Sequence, residues 1–155
     1  LDLGIIYKDL YLDAARTVPV GKISDEAERL LLVTREALRL GTAAAQVGNT
    51  LGDIGAAVQE YVEGEGYGVV RQLVGHGVGY AVHEEPHIPN FGSRGEGEKL
   101  TAGMVLAIEP MLTLGSPELI LDTDGHSFRT KDGSLSAHFE HTILVTGHGA
   151  EVLTI

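Results

Sequence analysis

The chain contains no cysteine. Disulfides and thiolate zinc sites are therefore excluded, and any metal ion has to be held by oxygen and imidazole donors. A reducing compartment suits this composition, and a cytoplasmic location is the expectation. Basic residues are scarce, with 11 Lys and Arg against 22 Asp and Glu and a formal net charge of −11. That balance argues against nucleic acid or an anionic membrane as a partner. No apolar run approaches the roughly 20 residues that a membrane-crossing helix needs, and no signal-peptide pattern is present. Internal repeats and low-complexity linkers are also missing. The first residue is leucine rather than methionine. A candidate ligand, Asp2, lies where chain ends usually fray, so preceding sequence is expected.

What is present is enough for one domain: 155 residues, 43% of them apolar and 21% charged, can bury a sizeable core. Leu1 to Tyr7 and Leu10 to Val20 read as a β-hairpin turning at Lys8-Asp9. With a two-residue turn Asp13 falls opposite Gly4. Asp2 and Asp13 then point to one face of neighbouring strands, because side chains two apart share a face. Helical spacing follows from Ile23 to about Leu40, with Ser24 as N-cap and Gly41 as the stop. A second helix is predicted from Leu51 to about Glu63, opened by a capping box of Thr50 and Asp53 and stopped by Gly64 and Gly66. Beyond Gly66 the helical signal vanishes. Met104–Met111, Ser127–Thr130, Ala137–Thr146 and Glu151–Thr154 read as strands, and Arg94 to Lys99 as an exposed loop. A hairpin, two helices and then mostly antiparallel strands define an α+β pattern.

Five residues in this pattern suit metal coordination: Asp2, Asp13, His76, Glu109 and Glu140. Four carboxylates and an imidazole form the donor set of a two-metal hydrolase, since hard divalent cations prefer oxygen and a close pair needs bridging carboxylates. His76 stands between Gly75 and Gly77, which lets its imidazole project into a pocket. Glu109 ends an apolar run and precedes Pro110, and Glu140 borders the apolar run Ile143 to Val145. A carboxylate at the buried end of a strand is costly unless paired or bound to metal. For either glutamate alone a buried ion pair is the competing reading, and five unrelated surface charges is the competing reading for the set. His83, seven residues after His76, can supply a neutral donor beside such a centre. His87, His138, His141 and His148 occupy loop, turn or strand positions without ligand spacing. Gly75-x-Gly77-x-Gly79 is no phosphate loop, because neither a helix start nor a P-loop lysine follows.

Four segments, in this order and with these separations, resemble type I methionine aminopeptidase. They are Asp2 with Asp13-Ala-Ala-Arg-Thr17, GHGVGYAVHEEP at Gly75–Pro86, AGMVLAIEPM at Ala102–Met111, and SAHFEHTILVT at Ser136–Thr146. The resemblance runs over essentially the whole chain. It implies the pita-bread fold, incomplete at the N-terminus, with residues 1–155 forming the C-terminal part of one metallopeptidase catalytic domain. The family's domain has a further upstream half, related by pseudo-twofold symmetry, that helps build the substrate pocket. The resemblance also implies a dinuclear centre on Asp2, Asp13, His76, Glu109 and Glu140, with Asp13 and Glu140 bridging. Glu109 would double as the proton shuttle, and His83 would contact substrate at the scissile bond. Two divalent ions are expected, Mn, Fe or Co, with Zn also compatible.

The activity so implied is removal of the N-terminal methionine from nascent proteins and peptides. Expected partners are N-terminal peptide substrates, together with the missing half or a second copy of the chain. Two alternatives stand beside it: a catalytically silent fragment or interaction module on the same fold, and an exopeptidase like prolidase or aminopeptidase P. Those enzymes carry an Arg-x-Glu-Asp setting at the last glutamate, whereas this chain has Phe139-Glu140-His141-Thr142. Two pocket positions depart from the family pattern. Val82 replaces an aromatic before the substrate histidine, and His126 stands where a tryptophan often closes the pocket. Both are expected to alter the specificity site.

Overall fold

The computed structural model describes residues 1–154. Strands β1 (Asp2–Tyr7) and β2 (Leu10–Ala15) form the expected hairpin, with Gly4 opposite Asp13 and Asp2 opposite Ala15. Lys8 and Asp9 both have positive φ (51° and 64°), the backbone that two-residue hairpin turns require. The second strand stops at Ala15 rather than running to Val20, and Arg16 makes only an isolated bridge to Phe139. Two helices follow, α1 (Asp25–Ala44) and α2 (Leu51–Gly64). Ser24 caps α1 by accepting from the Ala27 N–H, and Thr50 and Asp53 form the capping box of α2.

Gly41 does not end α1. The helix continues to Ala44, and Gly41 is buried where a Cβ would lie 2.9 Å from Val58 Cγ2 and 3.3 Å from Ile108 Cγ2. This glycine serves close approach between α1, α2 and the sheet beneath them, so its flexibility is irrelevant to the helix end.

The remaining strands are β3 (Gly68–Val69), β4 (Gly75–Gly77), β5 (Glu84–Ile88), β6 (Val105–Ile108), β7 (Met111–Thr113), β8 (Leu119–Leu121), β9 (Phe128–Thr130), β10 (Ser136–His138), β11 (His141–Thr146) and β12 (Gly149–Val152). They make a five-stranded sheet in the order β12-β11-β6-β4-β5, a three-stranded sheet in the order β10-β7-β3, and the hairpin β8-β9. All pairings are antiparallel. Pro86 lies in β5, the edge strand, where its missing N–H costs no ladder bond.

The single strands expected over Met104–Met111 and Ala137–Thr146 are each divided. Glu109-Pro110 separates β6 from β7, and Phe139-Glu140 separates β10 from β11. Both breaks fall at one level, since His141 pairs with Ile108 on one side and His138 with Met111 on the other. The chain passes from the large sheet to the small one at Glu109 and from the small sheet back to the large one at Glu140. The helices back both sheets. Leu38, Ile54, Leu106, Ile108 and Ile143 belong to one buried cluster, and Leu30, Val33, Val58, Val62 and Leu112 to the other. Each such side chain contributes about 1.5–3 kcal/mol when fully buried. Among the described residues no helix is long and apolar enough to cross a membrane.

Gly55 in α2 packs against the segment after β5. A Cβ there would lie 2.3 Å from the Phe91 carbonyl oxygen and 2.8 Å from that of Pro89. Alanine gains about 1 kcal/mol in helix propensity over glycine, but intrusion on fixed backbone costs about 1–3 kcal/mol. Gly55→Ala is therefore expected to lower the urea midpoint, and a raised midpoint would show that residues 89–91 yield freely.

Candidate metal centre

Each of the five candidate ligands comes from a different element: Asp2 from β1, Asp13 from β2, His76 from β4, Glu109 from the β6–β7 break and Glu140 from the β10–β11 break. Their donor atoms meet. Those of Asp2, Asp13 and Glu140 lie within 4.8 Å of one another, and so do those of His76, Glu109 and Glu140. Glu140 belongs to both groups. A third group joins Asp13 and His76 to the exposed His83, whose ring packs edge-on to that of His76 at 4.4 Å.

The backbone around these residues is fixed by bonds from distant segments. Thr142 Oγ1 accepts from the Asp13 N–H at 2.9 Å and donates to the Asp13 carbonyl at 2.8 Å, so β2 is clamped to β11. The Glu140 N–H, freed where the strand breaks, donates to the Ala15 carbonyl at 2.8 Å. Buried Asn90 donates through Nδ2 to the Glu109 carbonyl at 3.0 Å. A Cβ at Gly75 would lie 2.4 Å from the Ala107 carbonyl oxygen, so the glycine before His76 lets β4 press against β6.

His76 Nδ1 lies 2.9 Å from the Gly77 carbonyl, an acceptor, so Nδ1 carries the ring proton of the neutral imidazole. Nε2 is then a bare lone pair, 3.6 Å from Glu109 Oε1 and 3.9 Å from Glu140 Oε1. With both carboxyls ionised, three acceptors would face one another with no donor among them. Asp13, His76 and Glu140 are buried, and among the described residues no lysine or arginine pairs with any of the four carboxylates. Burial, then the charges of Glu109, Asp13 and Asp2, push the Glu140 carboxyl up to about 9. A site of acceptors only, crowded with unpaired carboxylates, fits divalent cations bound through oxygen and one imidazole nitrogen.

Of the two expected pocket positions, Val82 lies beside the hairpin. A Cβ on Gly4 would stand 3.8 Å from Val82 Cγ2 and 3.9 Å from Asp13 Oδ1, so this side chain adjoins the cluster. His126 is exposed in the β8–β9 turn, its N–H held by Asp124, and no hydrogen bond or ion pair joins it to the cluster among the described residues. Two residues that the sequence pattern passed over take part in the architecture. Thr142 is a buried polar residue at the head of an apolar run, and that anomaly was its signal. His138, set aside for lack of ligand spacing, brings Nε2 to 3.2 Å from Glu109 Oε2. Its spacing of two from Glu140 was the only clue.

The fold and this cluster define a class. Residues 1–147 match metallopeptidase family M24, and the chain belongs to that family, whose members hold divalent metal ions. The α+β architecture is the pita-bread fold. A solved methionine aminopeptidase from Thermotoga maritima superposes with a TM-score of 0.97 at 48% identity, covering 99% of this chain and 61% of that one. The prolidase from Pyrococcus furiosus superposes at 0.78 with 28% identity, covering 99% of this chain and 40% of that one. In sequence the chain is 49% identical to the methionine aminopeptidase of Clostridium perfringens over 155 residues, the whole of this chain and 62% of the relative. Against methionine aminopeptidase 1 of Bacillus subtilis the figures are 46% over 154 residues, 99% of this chain and 62% of the relative. The chain thus spans about 62% of the length of these curated relatives.

The displaced Glu140 carboxyl gives a pH signature. Its value in the folded chain, about 9, lies above the ordinary 4.5, so the folded state holds a proton that the unfolded state releases first. The associated stability is complete below about 4.5 and is lost as pH rises through about 9. With metal chelated, the thermal midpoint should fall across that window, and Glu140→Gln should flatten the fall. An unchanged slope in Glu140→Gln would place the proton elsewhere.

Proposed function

We propose that Asp2, Asp13, His76, Glu109 and Glu140 together hold two divalent cations, and that residues 1–155 carry the catalytic part of a methionine aminopeptidase. The supporting observation is the two donor groups that share Glu140 and have no lysine or arginine partner among the described residues. Oxygen-rich ligation favours Mn, Fe or Co, and Zn is also accommodated. When bound, such ions would supply an acidified water, a polarised scissile carbonyl and an anchor for the substrate's free α-amino group.

The chain's own groups do the rest. Asp13 and Glu140, the two carboxylates that belong to more than one donor group, would be the bridging ligands. Glu109 takes the proton of the attacking water and returns it to the departing amine. His83, exposed beside His76, donates an N–H to the oxyanion as the carbonyl becomes tetrahedral. Val82 borders the specificity pocket, and its small side chain enlarges the space beside Asp13. The substrate is an N-terminal methionine on a nascent chain, and the cytoplasm is the compartment that supplies it. The 46–49% identity to methionine aminopeptidases favours this substrate over the proline-containing ones of the 28% identical prolidase.

A second segment covers the hairpin. Leu1 and, in the first strand, Leu3, Ile5, Ile6 and Tyr7 are exposed, and Leu1, Leu3 and Ile5 line a cavity of about 610 Å³ on the face of the hairpin opposite to Asp2. Exposed apolar edge strands recruit partners, here a further part of the polypeptide or a second copy.

The test is release of methionine from a Met-Ala-Ser peptide with Mn²⁺ or Co²⁺, by the chain alone and joined to the part of its relatives that it does not cover. Chelation should abolish turnover in the joined protein. His83→Ala should cost about 100-fold in kcat, and Glu109→Gln at least about 100-fold. A joined protein that leaves the peptide intact with every cation would favour the catalytically silent interaction module.

A further inference from the structure

His138 has no part in the ligand set, yet its ring is aimed at it. Nε2 is buried and has no aligned hydrogen-bond partner among the described residues, while Glu109 Oε2 lies 3.2 Å away, off the line of the N–H. The backbone that carries this ring is held on both sides. The Thr17 hydroxyl accepts from the His138 N–H at 3.0 Å and donates to the His138 carbonyl at 2.9 Å, the Thr17 N–H donates to the same carbonyl, and His138 pairs with Met111 in the small sheet. Glu109 in turn is fixed through its carbonyl by Asn90, but its carboxylate receives no aligned hydrogen bond among the described residues.

The two oxygens of that carboxylate therefore face two imidazoles of opposite character. Oε1 faces the bare Nε2 of His76 at 3.6 Å, whose proton sits on Nδ1. Oε2 faces His138 Nε2. Two acceptors oppose each other on the first side, which suits a cation. On the second side a donor is required, because a buried ring nitrogen without a proton would only add repulsion to the carboxylate. We infer that His138 is a positioning residue, whose ring, turned from its present angle onto the 3.2 Å contact, donates Nε2–H to Oε2 of Glu109 and leaves Oε1 as the oxygen presented, with His76 Nε2, to a cation. Such outer partners orient a ligand carboxylate and sharpen metal affinity without touching the ion.

This inference rests on the metal-centre reading, and the experiment separates the two. The full 155-residue chain, freed of metal by chelation, is titrated calorimetrically with Mn²⁺ alone, as wild type and as His138→Ala, His138→Leu and His138→Gln. Loss of an outer-sphere donor should weaken Mn²⁺ binding about 10-fold in the Ala and Leu variants. His138→Gln, whose amide reaches as far as Nε2 and keeps an N–H, should bind within about 3-fold of wild type. Leu and Gln are close in volume, so their comparison carries the test even where the Ala variant unfolds more easily, and melting in chelator monitors the fold itself. Equal Mn²⁺ affinity in wild type and His138→Leu would overturn the role of His138 alone, and so would a Gln variant as weak as Leu. A wild-type chain that takes up no Mn²⁺ would overturn the metal centre and the inference with it.

Discussion

Repulsion between carboxylates governs this structure. Glu140 is buried at the centre of Asp2, Asp13 and Glu109, and no basic side chain relieves it among the described residues. At an effective dielectric near 20, two unit charges 4 Å apart repel by about 4 kcal/mol, against a total stability of only about 5–15 kcal/mol for a domain. A chain folding for stability alone would place apolar residues here, because a buried charge costs more than a well-packed methyl group. The arrangement makes sense once cations complete it. Burial first, and this repulsion after it, raise the Glu140 carboxyl to about 9, and the repulsion would become attraction with positive charge at the centre.

The fold achieves this crowding by breaking two strands at one level. Strands that ran straight through Glu109 and Glu140 would put successive side chains on opposite faces and bury every N–H in the ladder. Instead Pro110, without an N–H, ends the pairing after Glu109, and the Glu140 N–H turns to the Ala15 carbonyl. The chain crosses between the two sheets at both glutamates, and at these crossings the two carboxylates meet beside His76. The helices pack on both sheets, through Leu38 and Ile54 on one side and Val33 and Val58 on the other. Gly41 and Gly55 permit this by bringing helix backbone close to neighbouring chain.

The sequence was legible wherever a local rule acted alone. Lys8-Asp9 between two apolar runs set the hairpin and its register, and the caps at Ser24 and Thr50 set both helix starts. Gly41 was misleading because glycine carries two meanings, a helix stop and a close contact, and only tertiary packing decides between them. The divided strands were hidden for a related reason. Met104 to Met111 and Ala137 to Thr146 each read as one run, and sheet exchange is a matter of which neighbour accepts the next hydrogen bond. The candidate glutamates, Glu109 and Glu140, were legible as costly carboxylates beside apolar runs. Their supports were not, since Thr142 and Asn90 act through backbone atoms more than 15 residues away in sequence.

Asp2 is the exposed member of the set, and the hairpin that carries it is exposed along all of β1. It nevertheless lies at the anchored end. The Arg16 N–H donates to the Leu1 carbonyl at 2.7 Å, the Leu1 amino group donates back to the Arg16 carbonyl at 3.0 Å, and Ala15, the partner of Asp2, accepts from the Glu140 N–H. One further tie, from the Tyr11 N–H to the Gly79 carbonyl at 2.7 Å, holds the hairpin nearer its turn. The strand that pairs with Asp2 is thus tied down at three points, which leaves the Asp2 backbone little freedom. Asp2 and His83 are the exposed groups around the buried Asp13, His76 and Glu140.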